Sequence, residues 1–197
     1  PDTPFIADAK RGDIGSTAAR QAVALFDTLG ADAVTASPYL GVDAIEPLLA
    51  GEERFVYVLC RTSNPGASEL QDRLMAADAD GAALPLYLQV AHLVAGWGNR
   101  YPRVGLVVGA TAPAEMALVR AAAPELPFLV PGVGAQGGDG ATVLEYGPAT
   151  AGVAAGRRGG ALLVNVSRGI AGATAGQADA AAALLDAAQH WAALLRC

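Results

Sequence analysis

The sequence predicts an α/β fold, a (β/α)8 barrel of parallel strands and covering helices, with about six strand–helix units in this chain. Three observations lead there. Short runs rich in β-branched and large apolar residues recur, and they are continuous rather than alternating, as in strands buried on both faces. Ala- and Leu-rich segments with helical spacing separate them, so strand and helix alternate and right-handed crossovers make the sheet parallel. Polar residues then fall at the C-terminal ends of several different runs, and only a closed ring brings many strand ends to one mouth.

The first run, residues 5–7, leads into Asp8 and Lys10, and a helix is expected over 16–29. Residues 33–36 form the second run and end at Ser37. The third, 55–59, delivers Thr62, Ser63 and Asn64 and precedes a helix at 84–95. Residues 104–108 lead to a helix at 112–122, and 128–130 lead into Pro131 through Gln136. The last run, 162–166, ends at Ser167 and Arg168 before a closing helix at 178–195. The expected organisation is one barrel domain over residues 1–197. Six strands would leave two bare edges, which natural sheets avoid, so an N-terminal portion with the first two units is expected to be missing.

Composition narrows the function classes. A net charge of −6, a pI near 4.8 and no basic cluster interleaved with aromatics argue against an extended nucleic-acid surface. Gly, Pro or charge breaks the apolar stretches before they reach the ~20 residues that span a bilayer, so a soluble protein is expected. Cys60 and Cys197 form no CxxC pair or disulfide framework, which fits a reducing cytoplasm and no zinc. His92 and His190 stand apart from any ligand cluster and read as packing or surface residues.

The chemistry concentrates in Asp8-Ala-Lys10-Arg-Gly-Asp13-Ile14-Gly-Ser-Thr17. Strand alternation sends Asp8 and Lys10 to the same side, into the mouth. Asp13 follows a Gly turn, a second carboxylate near the same cation. Taken alone, Asp-x-Lys reads equally as a structural ion pair.

The longer pattern, Asp-x-Lys-x-x-Asp-Ile-x-x-Thr, resembles the signature of orotidine 5′-phosphate decarboxylases. The resemblance implies that Lys10 donates a proton to the pyrimidine C6, flanked by Asp8. It implies that Asp13 completes the charge array across a dimer interface, with Thr17 reaching the partner's ribose and Ile14 part of the same motif. The segment from Asp32 to Gly41 resembles the family's fourth-strand motif, in which Ser37 contacts the pyrimidine. The loop opened by Pro131 resembles that after the seventh strand, where Gln136 meets phosphate, and the segment from Val164 to Ile170 resembles the end of the eighth, where Arg168 and Gly169 hold it. Arg61-Thr-Ser-Asn-Pro65 is similar to a segment of the longer, bacterial branch.

The implied activity is cofactor-independent decarboxylation of orotidine 5′-phosphate to uridine 5′-phosphate, without a metal, in a homodimer with shared sites. The family also carries a second lysine and a ribose-binding aspartate on its first two strands, and neither is visible in this sequence. Phosphate recognition has support beyond resemblance, because barrels often bind phosphate with the loops after strands seven and eight. Those loops here are Gly-rich and end in an arginine, whose fork suits a phosphate.

Two readings compete. A metal-dependent sugar-phosphate decarboxylase or aldolase of the same superfamily shares Asp-x-Lys-x-x-Asp, but Ile14, Thr17 and the Ser37 segment argue against it. A noncatalytic phosphate- or nucleotide-binding barrel would explain the absent second lysine. Two motifs are set aside. Gly132-x-Gly134-x-x-Gly137 matches a dinucleotide fingerprint, but Gly138-Asp139-Gly140 stands where its helix should start. Asn165-Val-Ser167 matches a glycosylation acceptor, but lies at a strand end.

Overall fold

The computed structural model describes residues 3–51, 53–76 and 82–196. Six parallel strands form one sheet in sequence order and curl into a half-barrel. They are β1 (Ile6–Arg11), β2 (Ala33–Ala36), β3 (Phe55–Arg61), β4 (Val104–Val108), β5 (Phe128–Val130) and β6 (Leu162–Val164). All six expected runs are strands. β1 runs to Arg11, further than the apolar run 5–7, and β6 stops at Val164 rather than 166.

The helices are α1 (Gly15–Ala22), α2 (Glu46–Leu49), α3 (Ala67–Leu70), α4 (Leu86–Gly98), α5 (Pro113–Ala122), α6 (Gly140–Tyr146), α7 (Arg168–Ala171) and α8 (Ala180–Leu194). α1 continues as a π-helical stretch, Val23–Thr28, so the expected helix over 16–29 holds with a widened second half. α6 corrects one expectation. A helix does begin at Gly140, because the Asp139 carboxylate accepts the Thr142 N–H at 2.9 Å and caps it. The objection to the dinucleotide fingerprint based on a missing helix therefore falls, and what stands against it is the curled sheet of six parallel strands in sequence order, without a switch point.

The core has two layers, as strands buried on both faces require. Beneath the helices, Val34, Val56, Val58, Leu106, Val108, Phe128 and Val130 join Met116, Val119 and Val94 in the main cluster. Each such side chain, fully buried, stabilises by about 1.5–3 kcal/mol. On the concave face Ala33, Tyr57 and Val107 form a smaller cluster with Ile6, Phe55, Leu59 and Leu129 around it. Gly105 is needed there, since a Cβ would lie 2.5 Å from the Pro127 carbonyl and 2.9 Å from the Tyr57 ring.

One buried cation ties this frame together. Arg120 on α5 donates to the carbonyls of Gly147, Ala123 and Leu126 and stacks 3.6 Å over the Phe128 ring. Burial pushes its pKa down to about 10, and the carbonyls and ring offset the lack of a counter-ion among the described residues.

Candidate active site

Because the strands are parallel, every polar strand end lies on one rim. At the end of β1 the register breaks: Ala7 pairs with Val34, but Arg11 pairs with Ala36, so β1 carries two more residues than β2 over that stretch. The excess forms a bulge, and Lys10 sits in it at φ +49°, a conformation non-Gly residues adopt rarely. Alternation therefore does not place Lys10. Side-chain and backbone contacts do.

Those contacts form a closed set. Lys10 Nζ donates to Asp8 Oδ2 at 2.6 Å, the Thr35 hydroxyl donates to Asp8 Oδ1 at 2.7 Å, and the Lys10 N–H donates to Thr35 Oγ1 at 2.9 Å. Partial burial works to raise the Asp8 pKa, but the hydrogen bonds from Lys10 and Thr35 and the Lys10 charge outweigh it and hold the carboxyl below its ordinary value. Asp8 and Lys10 are both exposed, so the pair faces outward rather than serving a buried core. Strain retained at an exposed charged pair is the pattern of a functional strand end.

Asp13 does not join that pair. Its Oδ1 accepts the Ile14 N–H at 2.8 Å, and it enters no ion pair among the described residues. Ile14 is 61% exposed and Thr17 is exposed on α1. Ser37 follows β2, half-buried, where its N–H donates to the Arg11 carbonyl at 2.6 Å and its hydroxyl accepts from the Tyr39 N–H at 3.5 Å. Its carbonyl would lie 2.9 Å from a Cβ on Gly12, which binds the Ser37 turn closely to the loop after Lys10.

Across the rim, the Pro131 carbonyl accepts from the Ala110 N–H at 2.9 Å, and the loop behind it folds on itself through Gly134 to Gly138 and Gly138 to Gly132 bonds. Gln136 and Arg168 are exposed and make no side-chain hydrogen bond or ion pair within the described residues. Gly169 packs against Trp191 of α8. The same loops that carry the free amide and guanidinium are thus well tied through their backbones.

Ser63 was not singled out by the sequence, although it lies in the polar end of the third run. A Cβ on Gly109 would approach it to 2.8 Å and one on Gly132 to 3.0 Å, so two glycines make room for it. The Thr111 hydroxyl donates to its carbonyl at 3.2 Å, and neighbouring Thr62 is clamped by two 2.8 Å bonds with Gln71. The signal in the sequence is the pair of glycines directly after β4 and within the loop after β5.

Cys60 is buried, its thiol donating to the Tyr87 carbonyl at 3.2 Å, and burial pushes its pKa up to about 12, so it is an inert core thiol. Cys197 lies outside the described residues. His92 and His190 are exposed on α4 and α8, and His190 meets the Trp191 ring edge-on at 5.9 Å between centroids.

Residues 2–183 match the model of the family described as Orotidine 5′-phosphate decarboxylase / HUMPS. The chain belongs to that family. It is 52% identical over 183 residues to the orotidine 5′-phosphate decarboxylase of Paracidovorax citrulli, covering 93% of this chain and 63% of that protein. A second such relative, from Roseiflexus castenholzii, is 52% identical over 189 residues, covering 96% of this chain and 65% of its own length. The chain thus spans a little under two thirds of these relatives. Among solved structures, Leishmania donovani OMP decarboxylase superposes with a TM-score of 0.78 at 39% identity, covering 98% of this chain and 69% of that one. The family assignment agrees with the parallel α/β half-barrel and leaves the roles of individual residues to chemistry.

Proposed function

We propose that the protein carrying this chain decarboxylates orotidine 5′-phosphate to uridine 5′-phosphate, as the names of its relatives describe for them. The observation that carries the reading is the Asp8–Lys10 pair, locked by Thr35 into a bulged strand end on the rim shared with Gln136 and Arg168.

The difficult step breaks the bond between C6 and the carboxylate, leaving an electron pair in the plane of the ring where resonance cannot spread it. A fixed ammonium meets that need. Lys10 stabilises the developing charge and donates its proton to C6, and its neutral amine is then reprotonated from water. Asp8 aims the ammonium and keeps it beside the reacting carbon. Arg168 and Gln136 take the phosphate, with Gly169 and Pro131 shaping the loops that carry them, and that remote binding energy serves the transition state. Ser37 is assigned to the pyrimidine, and Ser63 is a second hydroxyl nearer Gln136: both Ser63 Oγ and Gln136 Oε1 lie within 3.6 Å of the place a Cβ on Gly132 would take.

The exposure of Ile14 and Thr17, with half-buried Asp13 beside them, supports a homodimer in which the three complete the partner's site. The full (β/α)8 barrel, a single domain whose third to eighth strands are β1 to β6, and a cytoplasmic location belong to the same reading. It is supported by the relatives' greater length, and no helix among the described residues is long and apolar enough to cross a membrane. No cofactor or metal is needed for the chemistry as written. Loss of orotidine 5′-phosphate absorbance, followed with and without a chelator on a sample of verified intact mass, tests it. Chelator-resistant turnover is expected. Turnover lost on chelation would favour the metal-dependent rival, and nucleotide binding without turnover would favour the noncatalytic barrel.

A further inference from the structure

We propose that Trp191 is a positioning residue for phosphate recognition, a strut on α8 that fixes the spacing between the Gln136 loop and the Arg168 turn. The proposal rests on the reading of those two side chains as the phosphate site.

Trp191 touches both segments at once. Its Nε1–H donates to the Gly169 carbonyl at 3.3 Å. Its ring edge lies 3.0 Å from the place a Cβ on Gly134 would occupy, and Nε1 lies 2.9 Å from the corresponding place on Gly169. Both glycines therefore admit the indole where any side chain would displace it. Leu195 fills the space beside Gly140 in the same way, at 2.9 Å.

Among the described residues, α8 meets the main core through one side chain. None of its residues is buried, and that side chain is Trp191. The loop it supports is closed by its own backbone bonds and anchored by buried Val133, and it turns through Gly132, Gly134 and Gly137 at positive φ. Gln136 and Arg168 reach the rim from different strands and have no side-chain partner within the described residues to hold them. A rigid indole bridging Gly134 and Gly169 sets the distance between the two segments, two residues from Gln136 and one from Arg168.

The test separates phosphate positioning from general stability. In the intact protein, Trp191→Ala should raise KM for orotidine 5′-phosphate and Kd for uridine 5′-phosphate by about ten- to a hundredfold, the scale of a misplaced binding group. Turnover of phosphate-free orotidine and Kd for uridine should stay within about twofold of the parent, a difference too small to matter energetically. Trp191→Phe, which keeps a ring against Gly134, should recover most of the loss. Should Trp191→Ala prove unstable, Trp191→Leu, which keeps apolar bulk against the core but loses the ring edge at Gly134 and the N–H to Gly169, should show the same phosphate-selective loss. Equal losses for phosphorylated and phosphate-free ligands, or unchanged uridine 5′-phosphate affinity in a folded variant, would overturn the strut. A parent protein that binds uridine 5′-phosphate through Trp191 but never turns over orotidine 5′-phosphate would uphold the strut and sink the decarboxylase reading instead.

Discussion

The two sides of the rim are built differently. On the β1 side the charged groups are already paired: Asp8 holds Lys10, Thr35 holds Asp8, and the Lys10 backbone holds Thr35 in turn. On the β5–β6 side Gln136 and Arg168 have no side-chain partner among the described residues, while the backbone beneath them is tied down. A group that must be aimed at developing charge benefits from preorganisation in the free protein, whereas a group that must grip an anion is best left unpaired until the anion arrives. On the proposed reading, the paired half does the chemistry and the unpaired half the recognition.

The largest effect should come from breaking the paired half. Lys10→Ala should lower kcat by at least about 10⁴-fold, the upper range for a positioned proton donor, while uridine 5′-phosphate still binds in a calorimetric titration. Next, the scaffold can be broken without touching either half. Phe128→Ala empties a fully buried site and uncovers the face of Arg120, and denaturant titration should show a loss of about 3–5 kcal/mol with nucleotide affinity unchanged in the folded fraction. The unpaired half should respond less. Arg168→Ala removes charge-assisted bonds worth about 1.5–3 kcal/mol, so phosphorylated ligands should bind about ten- to a hundredfold more weakly and uridine hardly differently.

The smallest effect sharpens the comparison. Thr35→Val, at a side chain only 1% exposed, removes one hydrogen bond to Asp8 and the acceptor of the Lys10 N–H, and should cost about 1–2 kcal/mol. Asp8 titrates below its ordinary 3.8 when folded, so the stabilisation it gives is full above that pH and is lost as pH falls through the lower folded value. In the variant the folded value should move back toward 3.8, so melting curves of the two proteins should converge on acidification.

Much of this was legible in residues. Val104 to Val108 is buried at every position and reads as a two-faced strand from its unbroken run, as does Ala33 to Ala36. The Asp8 and Lys10 spacing pointed to the pair that forms. The bulge was not legible, because apolar period carries no count of residues between two register points, and Lys10 φ is set by how β1 meets β2. α2 and α3, of four residues each, are too short to show a helical period, and the Asp139 cap of α6 was hidden among glycines that suggested a turn. Ser63 and Trp191 act through packing against glycines distant in sequence, which no local pattern records. Asp13 lay near Lys10 in sequence, yet a Gly turn carries it to a different environment, with its oxygen on the Ile14 N–H.

The most direct measurement follows orotidine 5′-phosphate absorbance at saturating substrate for the parent protein and Lys10→Ala side by side, with uridine 5′-phosphate binding measured on the same samples. Turnover present in the parent, abolished in the variant, and binding retained in both is the expected result. Normal turnover in Lys10→Ala would contradict the assignment of the paired half as the chemical half.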